Sequence, residues 1–160
     1  MQGKLVAGFI VLTALVAGAA IYYLQVYAYY GPVDAASPAA QIRLQPLDGA
    51  VGEPMLMTSE FQGIDADSSP LRFRGCFLTS MTLPMLTESY RIYEHPTPLN
   101  APSWFSCFDA DRIGDDLESG KAVAFLSEEN IHPGVDRVIA VYPDGRAFAW
   151  HQLAPEGEGP

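Results

Sequence analysis

Basic side chains are scarce in this sequence of 160 residues, which has nine Lys and Arg against nineteen Asp and Glu and a formal net charge of −10. The imbalance is uneven along the chain. Lys4 is the only charged residue in 1–30, which leaves eight basic and nineteen acidic residues in 31–160, a net charge of −11. A region this acidic repels nucleic acid and anionic lipid headgroups and attracts basic proteins or cations. The composition therefore excludes nucleic acid as a partner.

Cysteine is also rare, and Cys76 and Cys107 are the only thiols. They form no C-x-x-C motif, which excludes a thioredoxin-type redox pair and the C-x-x-C-H site of haem attachment. In an oxidising compartment a lone pair of cysteines most simply forms a disulfide, and closing a loop of this length stabilises a fold by roughly 3–4 kcal/mol. The alternative is two buried, unpaired thiols that act as small hydrophobic side chains.

Recognisable catalytic and metal-binding motifs are absent from the sequence. There is no G-x-S-x-G nucleophile elbow and no glycine-rich phosphate loop. His95, His132 and His151 lie 37 and 19 residues apart, which is not the spacing of metal ligands on one element. The acidic segment 109–120 begins like a calcium loop, but Gly120 stands where a bidentate Glu is required. The sequence therefore predicts no catalytic residue, no metal ligand and no cofactor, and indicates a protein that is not an enzyme.

One long hydrophobic run is present, and it has two incompatible interpretations. Lys4, the apolar stretch after it and the A-x-A triplet Ala17–Ala19 satisfy the rules for a cleavable signal peptide. Leu5–Leu24 is equally a run of 20 residues without a charge. As a helix it would be about 30 Å long, which matches the hydrocarbon thickness of a bilayer. Because cleavage would leave the apolar segment AIYYLQVYAYY at a new N-terminus, we predict an uncleaved transmembrane anchor over residues 5–30.

The outer end of this anchor is rich in tyrosine, and Gly31-Pro32 follows as a helix stop. The positive-inside rule places residues 1–4, with Lys4, in the cytoplasm and the rest of the chain outside. In a bacterium this is the inner membrane with the C-terminal domain in the periplasm; a eukaryotic secretory compartment fits the same residues. Amphipathic rings favour the headgroup layer, so the residues predicted at the membrane interface are Tyr22, Tyr23, Tyr27, Tyr29 and Tyr30.

Beyond the anchor the pattern predicts one small α+β domain with an antiparallel sheet and one or two helices. Residues 31–40 are expected to form a linker, 41–154 the exported domain and 155–160 a flexible tail. The clearest local signal is a hairpin at 136–153, where two strand-forming runs flank Pro143-Asp144-Gly145.

Shorter elements are predicted from local signals. Alternation indicates a strand at 71–77, and 121–126 is another. Asp109 is placed to cap a helix over Ala110–Ser119. Residues 83–93 remain ambiguous between helix and strand, because their apolar stripe fits a helix while the run SYRIY alone fits a strand.

The chain as a whole resembles a known family. The resemblance covers nearly the full length and is carried by the segments IYYLQVYAYY, GIDADSSPLRFRGCF, PTPLNAPSWFSCFDADRIG and VDRVIAVYPDGRAFAWHQL. These are similar to an uncharacterised alphaproteobacterial family of short, single-pass, membrane-anchored proteins, which is known only as a domain of unknown function. The resemblance implies an inner-membrane protein and transfers no activity or catalytic residue.

Two classes of function fit these features best, and an enzyme whose site is assembled from residues outside any motif is a distant third. In the first, the protein is an accessory or docking subunit without chemistry of its own. Its helix packs against a larger inner-membrane complex, such as one of respiratory or photosynthetic electron transfer, and its acidic domain attracts a basic periplasmic protein such as a cytochrome c. The helix-packing candidates are three small residues on one face, Ala7, Ala14 and Gly18. The alternative is a periplasmic module that binds a small ligand or metal and is localised by its anchor.

Overall fold

The computed structural model describes residues 2–155 and begins with a long helix. Helix α1 runs over Gln2–Tyr23 and continues as a π-helix over Leu24–Ala28. The absence of proline and of charge beyond Lys4 favours one continuous helix, and residues 3–25 are all exposed. The segment Gly3–Ala28 is long and apolar enough to cross a membrane, which is compatible with a single-pass anchor and with a signal sequence.

The domain that follows is built on an antiparallel sheet of six strands, in the spatial order β1-β4-β5-β8-β7-β6. A separate two-stranded sheet pairs β2 with β3. With two short helices, the predicted α+β arrangement is confirmed. The strands are β1 (Gly31–Pro32), β2 (Arg43–Leu44), β3 (Glu53–Pro54), β4 (Gln62–Asp65), β5 (Arg74–Leu78), β6 (Val123–His132), β7 (Val135–Val141) and β8 (Arg146–Leu153).

The predicted hairpin is confirmed as strands β7 and β8, paired from Val135↔Leu153 to Val141↔Ala147. Every residue of β7 is buried, including Asp136 and Arg137, because the strand lies between β6 and β8 in the sheet. The turn depends on Gly145, whose φ of 87° is in the left-handed region. A Cβ at this position would also lie 2.6 Å from the carbonyl oxygen of Thr79.

Both faces of the sheet are covered, because successive residues of a strand point to opposite sides. On β8, Ala147 and Ala149 belong to one hydrophobic core, and Phe148 and Trp150 pack into the other. The first core is closed by β2, by Met55 directly after β3 and by helix α2 (Leu83–Ser89), and the second by helix α3 (Ala110–Glu118).

Helix α3 matches the sequence prediction closely. The side chain of Asp109 accepts a hydrogen bond from the backbone N–H of Arg112, as an N-cap should. Phe108 and Ile113 are buried in the same core, and Gly120 follows the helix with a φ of 73°. The ambiguous segment 83–93 contains both structures in succession, because α2 ends at Ser89 and Ile92 then pairs with Phe125.

Three boundaries differ from the prediction. The strand expected at 71–77 begins only at Arg74, because Arg72 bonds back to Ser69 in a turn. The strand expected at 121–126 extends to His132 as β6. The expected linker 31–40 is folded: β1 pairs with β4, and a 3-10 helix at Pro38–Ala40 buries Ala40. Of the tail predicted at 155–160, residues 156–160 lie outside the described part of the chain.

The predicted disulfide is confirmed. Cys76 of β5 and Cys107 are bonded across a sequence separation of 31, with their Cα atoms 6.4 Å apart. The bond fastens the loop before α3 to the sheet, beside the second core.

Replacing both residues, Cys76→Ala with Cys107→Ala, should lower the free energy of unfolding by roughly 3–4 kcal/mol, because the unfolded chain regains the entropy of an open loop. Urea unfolding of the full-length protein in mild detergent, followed by tryptophan fluorescence, measures the change. Reduced wild-type protein is the matched control and should lose a similar amount. A double variant as stable as the oxidised wild type would contradict this role of the disulfide.

Candidate functional site

The end of the N-terminal helix is attached to the domain by two side chains that cap its free carbonyl groups. The last carbonyls of a helix have no partner within the helix. Nη1 of Arg72 donates to the carbonyl of Gln25 at 2.9 Å, and Nε1 of Trp104 donates to the carbonyl of Val26 at 2.7 Å. A cation at a helix C-terminus also interacts favourably with the helix dipole.

Further contacts strengthen this attachment. Nη2 of Arg72 donates to the side-chain oxygen of Gln25 at 2.6 Å, and its guanidinium lies 5.3 Å from the ring centroid of Tyr30. The Tyr30 ring meets Trp104 edge to face, with centroids 6.0 Å apart. Such cation–π and aromatic pairs each contribute about 0.5–1 kcal/mol at exposed positions. We refer to Gln25, Val26, Tyr30, Arg72 and Trp104 as the helix–domain junction.

The sheet fixes the loop that carries Trp104. Cys107, three residues later, is held by its disulfide to β5. From the same strand, the buried Arg74 donates to the carbonyls of Leu99 and Asn100 at 2.6 and 3.0 Å. Burial lowers the pKa of Arg74 to about 10, so the side chain stays charged at neutral pH. The position of Trp104 is therefore set by a covalent bond and by charge-assisted hydrogen bonds.

The tyrosines predicted at a membrane interface separate into two groups. Tyr22, Tyr23, Tyr27 and Tyr29 are exposed, and the rings of Tyr23 and Tyr27 stack with centroids 5.9 Å apart. Tyr30 is half-buried because it turns inward to the junction. A headgroup location for these residues stays a prediction.

The three small residues proposed for helix packing lie on one regular stretch of α1. At 3.6 residues per turn, Ala7, Ala14 and Gly18 fall within about 40° of one another around the helix axis. All three are exposed, and a Cβ added to Gly18 would meet nothing within 4 Å. Nothing in the described chain covers this face, and its role in helix packing stays a prediction.

The histidines, which are scattered in the sequence, are partly brought together. The rings of His132 and His151 lie 5.7 Å apart, and His95 lies elsewhere, in the loop that follows Glu94. Within residues 2–155, no group of three or more His, Cys, Asp or Glu side chains is arranged to hold a metal ion.

A buried pair that the sequence analysis missed lies on β7 and β8. Nε of Arg137 donates to Nε2 of His151 at 3.0 Å, while Nδ1 of His151 lies 2.7 Å from the carbonyl oxygen of Pro70. This bonding assigns the ring proton to Nδ1. Phe73 packs against both, with the Arg137 guanidinium 4.1 Å from its ring centroid and the His151 ring stacked at 4.7 Å.

Burial and the neighbouring Arg137 lower the pKa of His151 to about 3, so the imidazole is neutral at physiological pH. Burial likewise lowers the pKa of Arg137 to about 10. Both ring nitrogens are engaged and the residue is 1% exposed, so His151 is placed to hold Arg137 rather than to exchange protons with a substrate. The available signal was the hairpin register, which sets the two residues directly opposite each other.

Comparison with known proteins assigns the domain to a family without assigning a function. A family model described as "Family of unknown function (DUF6446)" matches residues 42–159. The matched region holds strands β2 to β8, α2 and α3 but neither α1 nor β1. No functionally described protein and no solved structure matches the chain.

The junction leads to a prediction about the chain between helix and sheet. Combining Arg72→Ala with Trp104→Ala should speed chymotrypsin cleavage at Tyr29 and Tyr30 by about tenfold, because the lost bonds cost on the order of 1–2 kcal/mol and cleavage follows the open population. The assay uses full-length protein in lipid nanodiscs. Arg91→Ala, which removes an exposed ion pair with Glu129, is the control and should cleave at the wild-type rate. Equal rates in all three proteins would contradict the prediction.

The buried histidine leads to a prediction about acid stability. Because the pKa of His151 is lower in the folded state than the ordinary 6.5, the unfolded chain binds the proton first as pH falls. The stability that the neutral imidazole of His151 contributes to the fold is complete above pH 6.5. It is lost progressively as the pH falls to about 3. Between pH 7 and pH 5 this residue alone should lower the free energy of unfolding by on the order of 1–2 kcal/mol.

The measurement is urea unfolding at several pH values in His151→Gln, whose neutral amide keeps an acceptor for Arg137. In His151→Gln the free energy of unfolding should no longer show the fall between pH 7 and pH 5 that His151 causes, whatever the absolute stability of the variant. His95→Gln changes an exposed imidazole and should keep the wild-type slope. An unchanged slope in His151→Gln would show that His151 is not the group responsible.

Proposed function

Because the chain belongs to DUF6446, a family of unknown function, we propose its role from its own structure, as a membrane-anchored accessory subunit of a larger bacterial inner-membrane complex. In this proposal α1 stays in the membrane and the domain is held on the periplasmic side. The observation that carries the proposal is the helix–domain junction at the end of an apolar, fully exposed helix. The domain makes hydrogen bonds to Gln25 and Val26, at the end of the helix that would emerge from the bilayer.

The apolar segment beside the junction supports retention of the helix. Gln25 and Val26 lie beyond Ala19, so cleavage there would keep the junction on the mature domain. Cleavage after Ala19 would also leave an apolar remnant from Ala20 to Ala28 attached to the domain. The resemblance to anchored alphaproteobacterial proteins agrees with retention. With Lys4 inside, the domain lies in the periplasm.

Two surfaces support an accessory role. The stripe of Ala7, Ala14 and Gly18 allows a neighbouring helix to approach α1 closely. The excess of acidic residues in 31–160 gives the domain a field that attracts a basic protein, such as a cytochrome c serving a respiratory or photosynthetic complex. The proposal assigns the protein a part in assembly or docking, without a reaction or a cofactor of its own.

Co-purification tests this proposal. We expect C-terminally tagged full-length protein, solubilised from its native membranes in mild detergent, to recover a membrane complex in stoichiometric amount. Mass spectrometry of the same sample should find residues 1–30 intact. Ala14→Leu should lower recovery of the complex about fivefold, because close helix contacts in membranes are worth about 1 kcal/mol.

The matched control is Ala20→Leu, the same substitution about 140° around the helix from the stripe, which should leave recovery unchanged. Recovery of a free monomer, or an N-terminus at Ala20, would overturn the accessory role. If Ala14→Leu and Ala20→Leu recover the complex equally well, the stripe of small residues is not the surface that packs against the complex.

A further inference from the structure

A groove of about 900 Å³ lies between helix α3 and the extended segment 92–98. Its floor is apolar and includes Ile92, Leu117 and Val123. Ile92 is 52% exposed although it pairs with Phe125 of β6 through its backbone. The volume is within the range of about 300–1,000 Å³ that is typical of binding clefts.

The rim of the groove is acidic, and its carboxylates lie on α3 and on the segment 92–98. Its carboxylates are Glu94, Asp111, Asp115 and Glu118. Within the described residues 2–155, none of these side chains makes a hydrogen bond or an ion pair, and neither Lys nor Arg lines the groove. Carboxylates brought together without a cation repel one another, and a basic occupant would relieve that repulsion.

Both walls of the groove are fixed by buried hydrogen bonds. The buried side chain of Gln152 accepts from the backbone N–H of Thr97 at 2.7 Å and donates to the carbonyl of His95 at 3.0 Å. On the far side of α3, Asp116 accepts from the hydroxyl of Tyr142 at 2.9 Å. The groove is therefore preformed, which reduces the entropy lost when a ligand binds.

Gly114 leaves the backbone of α3 uncovered at the groove. It lies in the middle of α3 and lines the groove, where glycine is unfavourable compared with alanine. The fold does not require it, because an added Cβ would meet nothing within 4 Å. A missing side chain at this point lets another chain approach the helix backbone.

We propose that this groove binds a basic, extended segment of a partner protein. An apolar side chain of that segment would lie on the floor, and flanking Lys or Arg side chains would reach the acidic rim. A bare cation would use the rim but would leave the apolar floor exposed. The inference deepens the proposed accessory function, since it names the surface that receives a basic partner and the chemistry of the segment that it receives.

Fluorescence anisotropy tests the proposal with full-length protein in phosphatidylcholine nanodiscs. The probe is a labelled, end-blocked peptide of alternating Lys and Leu, and empty nanodiscs correct for lipid binding. We expect saturable binding that weakens as the ionic strength rises from about 0.01 to 0.15 M. A peptide with Glu in place of Lys should not bind.

Gly114→Leu places a side chain in the groove and should weaken binding on the order of tenfold, with thermal unfolding unchanged or shifted upward. Glu94→Gln, Asp115→Asn and Glu118→Gln together should weaken binding and flatten its salt dependence. The matched control, Glu60→Gln, Asp67→Asn and Glu88→Gln, removes the same charges from exposed sites that do not line the groove and should keep most of the affinity.

Two results would overturn the proposal: binding that ignores Gly114→Leu, or equal loss in the two charge variants, which would mean attraction by net charge alone. If the groove variants fail in this way while the protein still co-purifies with a membrane complex, the accessory function stands without the groove. If the protein does not co-purify with a complex but the peptide still binds in the groove, the groove is a binding site for basic segments and the accessory function is wrong.

Discussion

The attachment of one loop to one strand positions both the helix–domain junction and one wall of the groove. The covalent bond from β5 to Cys107 and the hydrogen bonds from Arg74 hold the chain before α3 against the sheet. At one end of that chain segment, Glu94 to Pro98 forms a wall of the groove; towards the other end, Trp104 reaches the N-terminal helix. The segment contains several prolines and little regular structure, so its own backbone bonds could not set these positions. Its order comes from side chains of the sheet.

Local chemistry explains which elements the sequence predicts well. The β7–β8 hairpin and α3 carry their own start and stop signals in Gly145, Asp109 and Gly120. The disulfide was predictable because the chain offers only two thiols. By contrast, residues 31–40 have no period of their own and are ordered by distant partners: β4 pairs with Gly31-Pro32, and Arg137 donates to the carbonyl of Ala39. From the sequence alone, a flexible linker cannot be distinguished from an edge strand of two residues, because such a strand is defined by the partner strand with which it pairs.

The junction, the buried Arg137–His151 pair and the groove were less visible in the sequence for a related reason. The junction joins residues 47 and 78 positions apart, and no local pattern marks such pairs. The Arg137–His151 pair follows from hairpin register but also needs Phe73 and Pro70 from a distant turn. In the groove, Glu94 and Glu118 face the same cleft only because the sheet places their two segments side by side. The composition indicates an acidic domain. Only the folded structure shows which carboxylates have no partner within the described residues.

The long sequence separation of the junction also sets an order of events during synthesis. A chain made from its N-terminus presents Gln25 and Val26 long before Arg72 and Trp104 have been synthesised. Until then, those two carbonyls must find partners outside the junction. The sheet cannot close earlier either, because β5 pairs with β8, the last strand of the chain. The helix end is therefore capped by the domain only after most of the chain has been synthesised.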